Sequence, residues 1–262
     1  EDLFNDADIE NLISRESIFY VWSNKLFYNS ARKDFETREK TGVKIEIISK
    51  NEINDVEPNI NNIFYKGALF KGSYFAKNPK KISEKLLQLF IEKGGNFKKE
   101  KIEEIKILDT NKVNIHTNEN TYIYDRIVLC AGVWSKKLTD KLGENIPLAS
   151  ERGYHLMYPH PENSISRPIA WQERGVYFTP MQDGLRAGGV VELGGNSNEI
   201  SSKVVSYLKR ATETVFPNIN NHLSEWVGFR PSVPDSLPVI GQSKKNPYIY
   251  YCFGHQHIGW SL

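Results

Sequence analysis

Residues 126–130, Arg-Ile-Val-Leu-Cys, form a continuous apolar run that leads straight into Ala131 and Gly132. A strand whose apolar residues do not alternate is one covered on both faces, as in a parallel sheet. Between Gly153 and Leu193 the pattern changes. Residues 154–158, 176–179 and 185–193 alternate, the mark of longer strands with one face packed and one face wet. A chain that carries both signatures is expected to be α/β (α+β-like). It should hold a mixed antiparallel sheet with helices, interleaved with part of a parallel-sheet domain.

Local signals fill in the elements. Residues 6–12 read as a short polar helix and 18–22 as a strand. Ser23 is the expected cap of a helix over 24–40 that turns Leu26, Phe27, Ala31 and Phe35 to one face and ends at Gly42. Residues 44–48 are strand-like, a helical turn ends near Pro58, and 64–70 read as a strand interrupted at Gly67 and closed by Gly72. Asn78-Pro79 is a capping side chain followed by proline at the first helical position, and the helix it opens stops at Gly94-Gly95. Residues 97–101, 102–108, 113–117 and 121–124 read as a strand meander. Residues 201–215 form a helix that buries Val204, Val205, Leu208 and Ala211. Strands at 226–230 and 248–253 close the chain, joined by a link through Pro231, Pro234 and Pro238.

Several functions are excluded by residue type. Lys+Arg is 34 against Asp+Glu 32, a net charge of +2 without the basic footprint of a nucleic-acid binder. No run approaches the ~20 apolar residues that cross a bilayer, and Glu1, Asp2, Leu3 and Phe4 do not open a signal peptide. Cys130 and Cys252 lie in apolar stretches and are expected as buried thiols of a reducing compartment. The expected location is therefore cytoplasmic, or peripheral at the inner face of a membrane. There is no G-x-G-x-x-G, no G-x-S-x-G, and Ser73 stands where the lysine of a P-loop would follow Gly67 and Gly72. His255 and His257 are a close pair without Cys or carboxylates at ligand spacing, so no metal is expected.

The end of the chain carries the chemistry. It reads Trp226-Val227-Gly228-Phe229-Arg230-Pro231, then Pro234-Asp235, Pro238-Val239-Ile240-Gly241, and Gly254-His255-Gln256-His257-Ile258-Gly259. Arg230 ends an apolar strand whose exit is fixed by proline. Its guanidinium is either paired with a local acid such as Asp235 or offered to an anionic ligand in fork geometry. Gly254 and Gly259 bracket a turn where backbone can approach a ligand closely.

These motifs, in this order, resemble the C-terminal half of the FAD-dependent amino-acid oxidoreductases: the D-amino-acid dehydrogenase small subunit, glycine oxidase and sarcosine oxidase relatives. Val128-Leu129-Cys130-Ala131-Gly132-Val133-Trp134-Ser135 resembles the strand and Ala-Gly turn that the family places near its flavin. Arg152-Gly153-Tyr154-His155 and Asp183 to Gly189 with Glu192 resemble the dehydrogenase branch. The resemblance implies that Arg230 pairs with the substrate carboxylate and that the Tyr177 hydroxyl reaches the same group, unless Tyr177 is an ordinary strand tyrosine. It puts His257 where glycine oxidase has an arginine that contacts substrate. Ala131, Gly132, Gly254, His255, Gln256, Ile258, Gly259 and Trp260 would line the cofactor. Ile102 would meet the adenine end of FAD through its backbone, its side chain being read as core.

The implied reaction is hydride transfer from the amine-bearing carbon of an amino acid, a D-amino acid foremost, to flavin, with the imino acid hydrolysing to a keto acid. No catalytic base is required, and the electron acceptor is a quinone or oxygen. Residues 1–75 and 145–240 would form the substrate-binding domain, and 76–144 and 241–262 part of the FAD-binding domain. The family's opening strand, glycine-rich turn and helix are not in this sequence. The 262 residues are therefore expected to be a substrate-domain fragment, inactive alone and colourless when purified. Two rivals stand beside this reading. One is a non-catalytic module that binds a carboxylate or amino acid. The other is an assembly subunit with an aromatic surface at Trp22, Trp134 and Trp226, residues otherwise expected in the core.

Overall fold

A computed structural model describes residues 2–159 and 165–259. The chain divides into two compact units, each discontinuous: residues 1–96, 154–190 and 199–227, and residues 97–153, 191–198 and 228–262.

The first unit is built on strands of an eight-stranded mixed sheet. Its order is Ser224–Ser232, Ala149–Tyr158, Gly184–Leu193, Val176–Met181, Ile169–Trp171, Ile18–Trp22, Lys66–Lys71 and Lys44–Ile48. Ile169–Trp171 runs parallel to Ile18–Trp22, and Val176–Met181 pairs antiparallel on its other side. One face is closed by the helix Ser202–Val215, which buries Leu208, Ala211, Thr212 and Val215 at i, i+3, i+4, i+7 spacing. These pack with Phe19, Leu156, Ile169, Val176, Phe178 and Leu185 in the main core. Truncating Leu208, which is fully buried, is expected to cost about 2–5 kcal/mol.

Helix Pro79–Glu92 starts as its sequence dictates: the Asn78 side chain accepts from the Lys81 backbone N at 3.0 Å, and Pro79 occupies the first turn. Ile82 anchors it to Ala7, Ile9 and Leu12. Among the described residues no helix is long and apolar enough to cross a membrane.

The second unit contains the antiparallel meander Ile102–Ile107, Val113–Thr117, Thr121–Tyr124. A second three-stranded sheet has the order Val239–Gln242, Ile249–Phe253, Ile127–Leu129, the last two parallel. Its packed face carries Leu129, Ile249, Tyr251 and Phe253.

Several local expectations need correction. Residues 6–12 are not one helix; a helix over Asp2–Asp6 and a 3-10 turn over Glu10–Leu12 replace it. Asn24, not Ser23, caps Lys25–Lys40, because its side chain accepts from the Leu26 backbone N while Ser23 turns to Glu173. That helix buries Tyr28 and Phe35 and leaves Leu26 and Phe27 exposed. Gly67 does not interrupt its strand. It sits under the Phe19 ring, where a Cβ would stand 2.4 Å from Cε2, so the missing side chain makes room for the aromatic. Residues 97–101 form no strand, and Val239–Gln242 forms one among the prolines.

The run at 126–130 is parallel-paired but not covered on both faces, since Val128 is exposed. Cys130 is exposed and Cys252 half-buried, and both are free thiols. Trp22 is buried, whereas Trp134 and Trp226 are exposed.

Candidate active-site residues

Ser224–Ser232 lies beside Ala149–Tyr158 in the sheet, and residues 228–232 and 149–153 of these strands belong to the second unit. That pairing brings Arg230 over Gly153, where an added Cβ would stand 3.1 Å from Cζ and Nη2 of the guanidinium. The arginine therefore rests on bare backbone, half-buried. Among the described residues no carboxylate pairs with it. Asp235, its nearest sequence candidate, accepts instead from the Leu237 backbone N at 3.1 Å. Arg152 behaves otherwise: its Nη1 meets Glu192 Oε2 at 2.9 Å.

The turn at 254–259 is held from the same segment that follows Arg230. The Gln256 backbone N donates to the Pro231 carbonyl at 3.2 Å. The Gln256 side-chain amide donates to the Val233 carbonyl at 3.0 Å and to Ser236 Oγ at 3.4 Å. Gly254 has φ +80° and Gln256 φ +49°, so two left-handed residues shape the turn. Ile258 N closes it on the His255 carbonyl at 3.0 Å. The Gln256 side chain is thus spent on positioning the loop, a role its sequence context did not disclose. His255 and Ile258 are half-buried, His257 and Gly259 are exposed, and Trp260 lies outside the described residues.

Ala131 and Gly132 follow the strand Ile127–Leu129. Gly132 has φ +56° and nothing within 4 Å of the position a Cβ would take. Ile102 opens the meander opposite Thr117 with its side chain 41% exposed, so the core reading of that side chain is corrected.

In the first unit, Tyr177 is 45% exposed on the sheet surface, flanked in register by Gly188 on one side and Ala170 on the other. Tyr20 follows beyond Ala170, and burial together with the nearby Tyr177 pushes its hydroxyl pKa up. Tyr177 and Gly188 share their face with Thr179 and Arg186, which are also register partners.

Arg186 is a residue that sequence reasoning left without a role. It is half-buried, burial holds its pKa down, and among the described residues no acid partners it. The alternation of its strand was the available signal, since it puts Arg186 two residues from Gly188 on one face. His155 lies beside Gly188 and stacks on Trp226 at 4.7 Å and 20°. Burial, with the Arg186 charge adding to it, pulls the His155 pKa down to about 4, so this imidazole is neutral at pH 7.

The architecture is shared with solved enzymes. Glycine oxidase from Geobacillus kaustophilus superposes with a TM-score of 0.89 at 16% identity, over 98% of this chain and 70% of that one. L-proline dehydrogenase from P. horikoshii gives 0.84 at 16% identity, over 98% and 72%. The fold is therefore the one these two enzymes share. The sequence model of the FAD dependent oxidoreductase (DAO) family matches residues 2–262, and the chain belongs to that family.

Among curated relatives, D-amino-acid oxidase from Bradyrhizobium diazoefficiens is 27% identical over 262 residues, which is 98% of this chain and 62% of the relative. D-amino acid dehydrogenase from Vibrio vulnificus is 24% identical over 269 residues, 99% and 64% respectively. The chain thus spans less than two thirds of the length of these relatives.

The residues of the second unit fit part of a flavin nucleotide. Two neighbouring parallel strands, Ile127–Leu129 and Ile249–Phe253, are followed at their carboxyl ends by Gly132 and Gly254, both with positive φ. Ligands of parallel sheets sit at such ends, and the space around Gly132 is open to one. The 262 residues hold no G-x-G-x-x-G to cradle the pyrophosphate.

Proposed function

We propose that this chain carries the substrate-contacting residues of an FAD-dependent amino-acid oxidoreductase, with D-amino acids as the favoured substrates. The observation that supports it most directly is the guanidinium of Arg230, seated on Gly153 with no acid partner among the described residues. A half-buried cation without a counter-charge is a ready acceptor for a ligand carboxylate, in two parallel hydrogen bonds. Tyr177 and His257 are assigned as further polar contacts to substrate.

Ala131, Gly132, the 254–259 turn and the backbone at Ile102 are assigned to the cofactor. When bound, FAD supplies the two-electron acceptor for the hydride that leaves the amine-bearing carbon. The work of the chain is orientation. Arg230 fixes the carboxylate so that the α-hydrogen has one direction to leave, and positioning of this kind can lower a barrier by several kcal/mol. Donors of the 254–259 turn would stabilise the negative charge that develops beside them. The resulting imino acid hydrolyses to a keto acid and ammonia.

The division of labour assigns substrate contact to residues 1–75 and 145–240, and cofactor contact to 76–144 and 241–262. We assign the reaction to the cytoplasm or to the inner face of a membrane, with a quinone or oxygen taking the electrons. Because no pyrophosphate cradle lies within them, the 262 residues alone are expected to purify colourless and inactive. The test is substrate-dependent dye reduction by the full-length protein, assayed with D- and L-amino acids. Reduction with D-amino acids that is lost in Arg230→Ala supports the assignment. Amino-acid binding to these residues without flavin, and without dye reduction in the full-length protein, would establish a carboxylate-binding module instead.

A further inference from the structure

The first unit carries a cleft of about 270 Å³ lined by Trp171, Arg174, Tyr207, Arg210, Ala211 and Thr214. One wall is the end of the strand Ile169–Trp171 and the 3-10 turn Gln172–Arg174, closed by Gly175 at φ +62°. The other is a single face of the helix Ser202–Val215, on which residues 207, 210, 211 and 214 follow one another at i, i+3, i+4 and i+7.

Its polar groups are one-sided. The Tyr207 hydroxyl donates to the Arg174 carbonyl at 2.7 Å, and Thr214 Oγ1 donates to the Arg210 carbonyl at 2.7 Å. Two backbone acceptors are thereby engaged. The Arg174 guanidinium lies 5.5 Å from the centroid of the Trp171 ring, and the buried Trp171 Nε1 has no acceptor among the described residues. Neither Arg174 nor Arg210 has a carboxylate partner among the described residues.

The adjacent acids in sequence are committed elsewhere. Glu173 accepts from the Ser23 backbone N at 2.6 Å and from its hydroxyl at 2.5 Å, and Glu213 lies 3.9 Å from Lys209. Two positive charges and an indole thus line one cleft that contains no acid.

We propose that this cleft binds an oxyanion carried on a single flat ring. The two guanidinium groups would grip the anion in charge-assisted hydrogen bonds, and the ring would lie against Trp171 and Ala211. The volume sits just below the ~300–1,000 Å³ range of drug-sized ligand pockets, which suits one ring and not an extended nucleotide. The site is separate from the residues assigned to amino-acid oxidation and does not depend on that assignment.

Calorimetric titration of the full chain with phenyl phosphate, and in parallel with inorganic phosphate, tests it. One saturable site is expected, with phenyl phosphate bound roughly tenfold tighter than phosphate. The double variant Arg174→Gln, Arg210→Gln changes two exposed side chains and should keep its circular dichroism while losing about tenfold or more in affinity. Three results would overturn the proposal: no saturable binding, unchanged affinity in the double variant, or phosphate bound as tightly as phenyl phosphate.

Discussion

Arg152 and Arg230 carry the same group on neighbouring strands of one compact unit, yet they are satisfied in different ways. Arg152 is 12% exposed and held by Glu192 at 2.9 Å. Arg230 has bare backbone beneath it and no acid among the described residues. An internal partner turns a guanidinium into part of the scaffold, because its fork is already engaged by a carboxylate. A guanidinium left without one keeps its fork for a ligand. The contrast teaches that the neighbour decides the role, not the residue type.

The largest effect should come from removing the free member. If the proposed function holds, Arg230→Ala is expected to lower kcat/KM for the amino acid by roughly two to three orders of magnitude in the FAD-loaded enzyme. Arg230→Lys should recover part of it, since an ammonium keeps the charge and loses the fork. Steady-state kinetics decides, and equal activity of Ala and wild type would end the comparison.

A subtler way to break it is Gly153→Ala. The new methyl would stand 3.1 Å from the guanidinium carbon, tight enough that the arginine must shift. KM should rise by about tenfold while the urea midpoint moves little. If KM is unchanged, the bare backbone has no part in aiming Arg230.

The third test concerns charge without a partner elsewhere, at Arg186 and His155. The His155 pKa is pulled down to about 4 in the fold against an ordinary 6.5, so its proton binds to the unfolded chain first. Stability should therefore be flat above about pH 6.5 and fall as pH drops towards 4, by about 1–2 kcal/mol after allowance for solvent screening. His155→Gln should remove that slope in urea unfolding across this range. Arg186→Gln should raise the His155 pKa only partly, as followed by NMR titration, because burial is the larger cause.

The smallest effect is expected from the paired arginine. Glu192→Gln removes a carboxylate that is 40% exposed, and should cost about 1 kcal/mol in unfolding free energy with little change in kcat. A collapse of activity in this variant, with the fold retained, would erase the distinction between the two arginines.

What the sequence disclosed follows the range of the forces involved. The start of helix Pro79–Glu92 was legible to the residue, because Asn78 and Pro79 act within one turn. Ser202–Val215 was legible from its period, although Val204 and Val205 proved to flank the buried stripe centred on Leu208 and Val215. Strand Val239–Gln242 was hidden by the surrounding prolines, and its formation depends on pairing with Ile249–Phe253, which no local pattern encodes.

The same limit applied to the site. Arg230 could be picked out at a strand end beside Pro231, but its seat on Gly153 arises from a partner 77 positions earlier in the chain. Arg186 was missed because a lone arginine in an alternating strand looks like a solvent-facing residue until burial is known. Gln256 was read as a ligand contact, and the bonds of its side-chain amide to Val233 and Ser236, which shape that turn, were not legible because they join positions 20 or more apart.

The hydrogen that stands in place of a side chain at residue 153 has a further consequence. A planar cation lying flat on peptide surface has few rotamers to sample, so most of its freedom is surrendered when the chain folds, not when a guest arrives. Capture of a small acid should then proceed with little ordering of the host, and selectivity among guests should register mainly in how slowly each one departs.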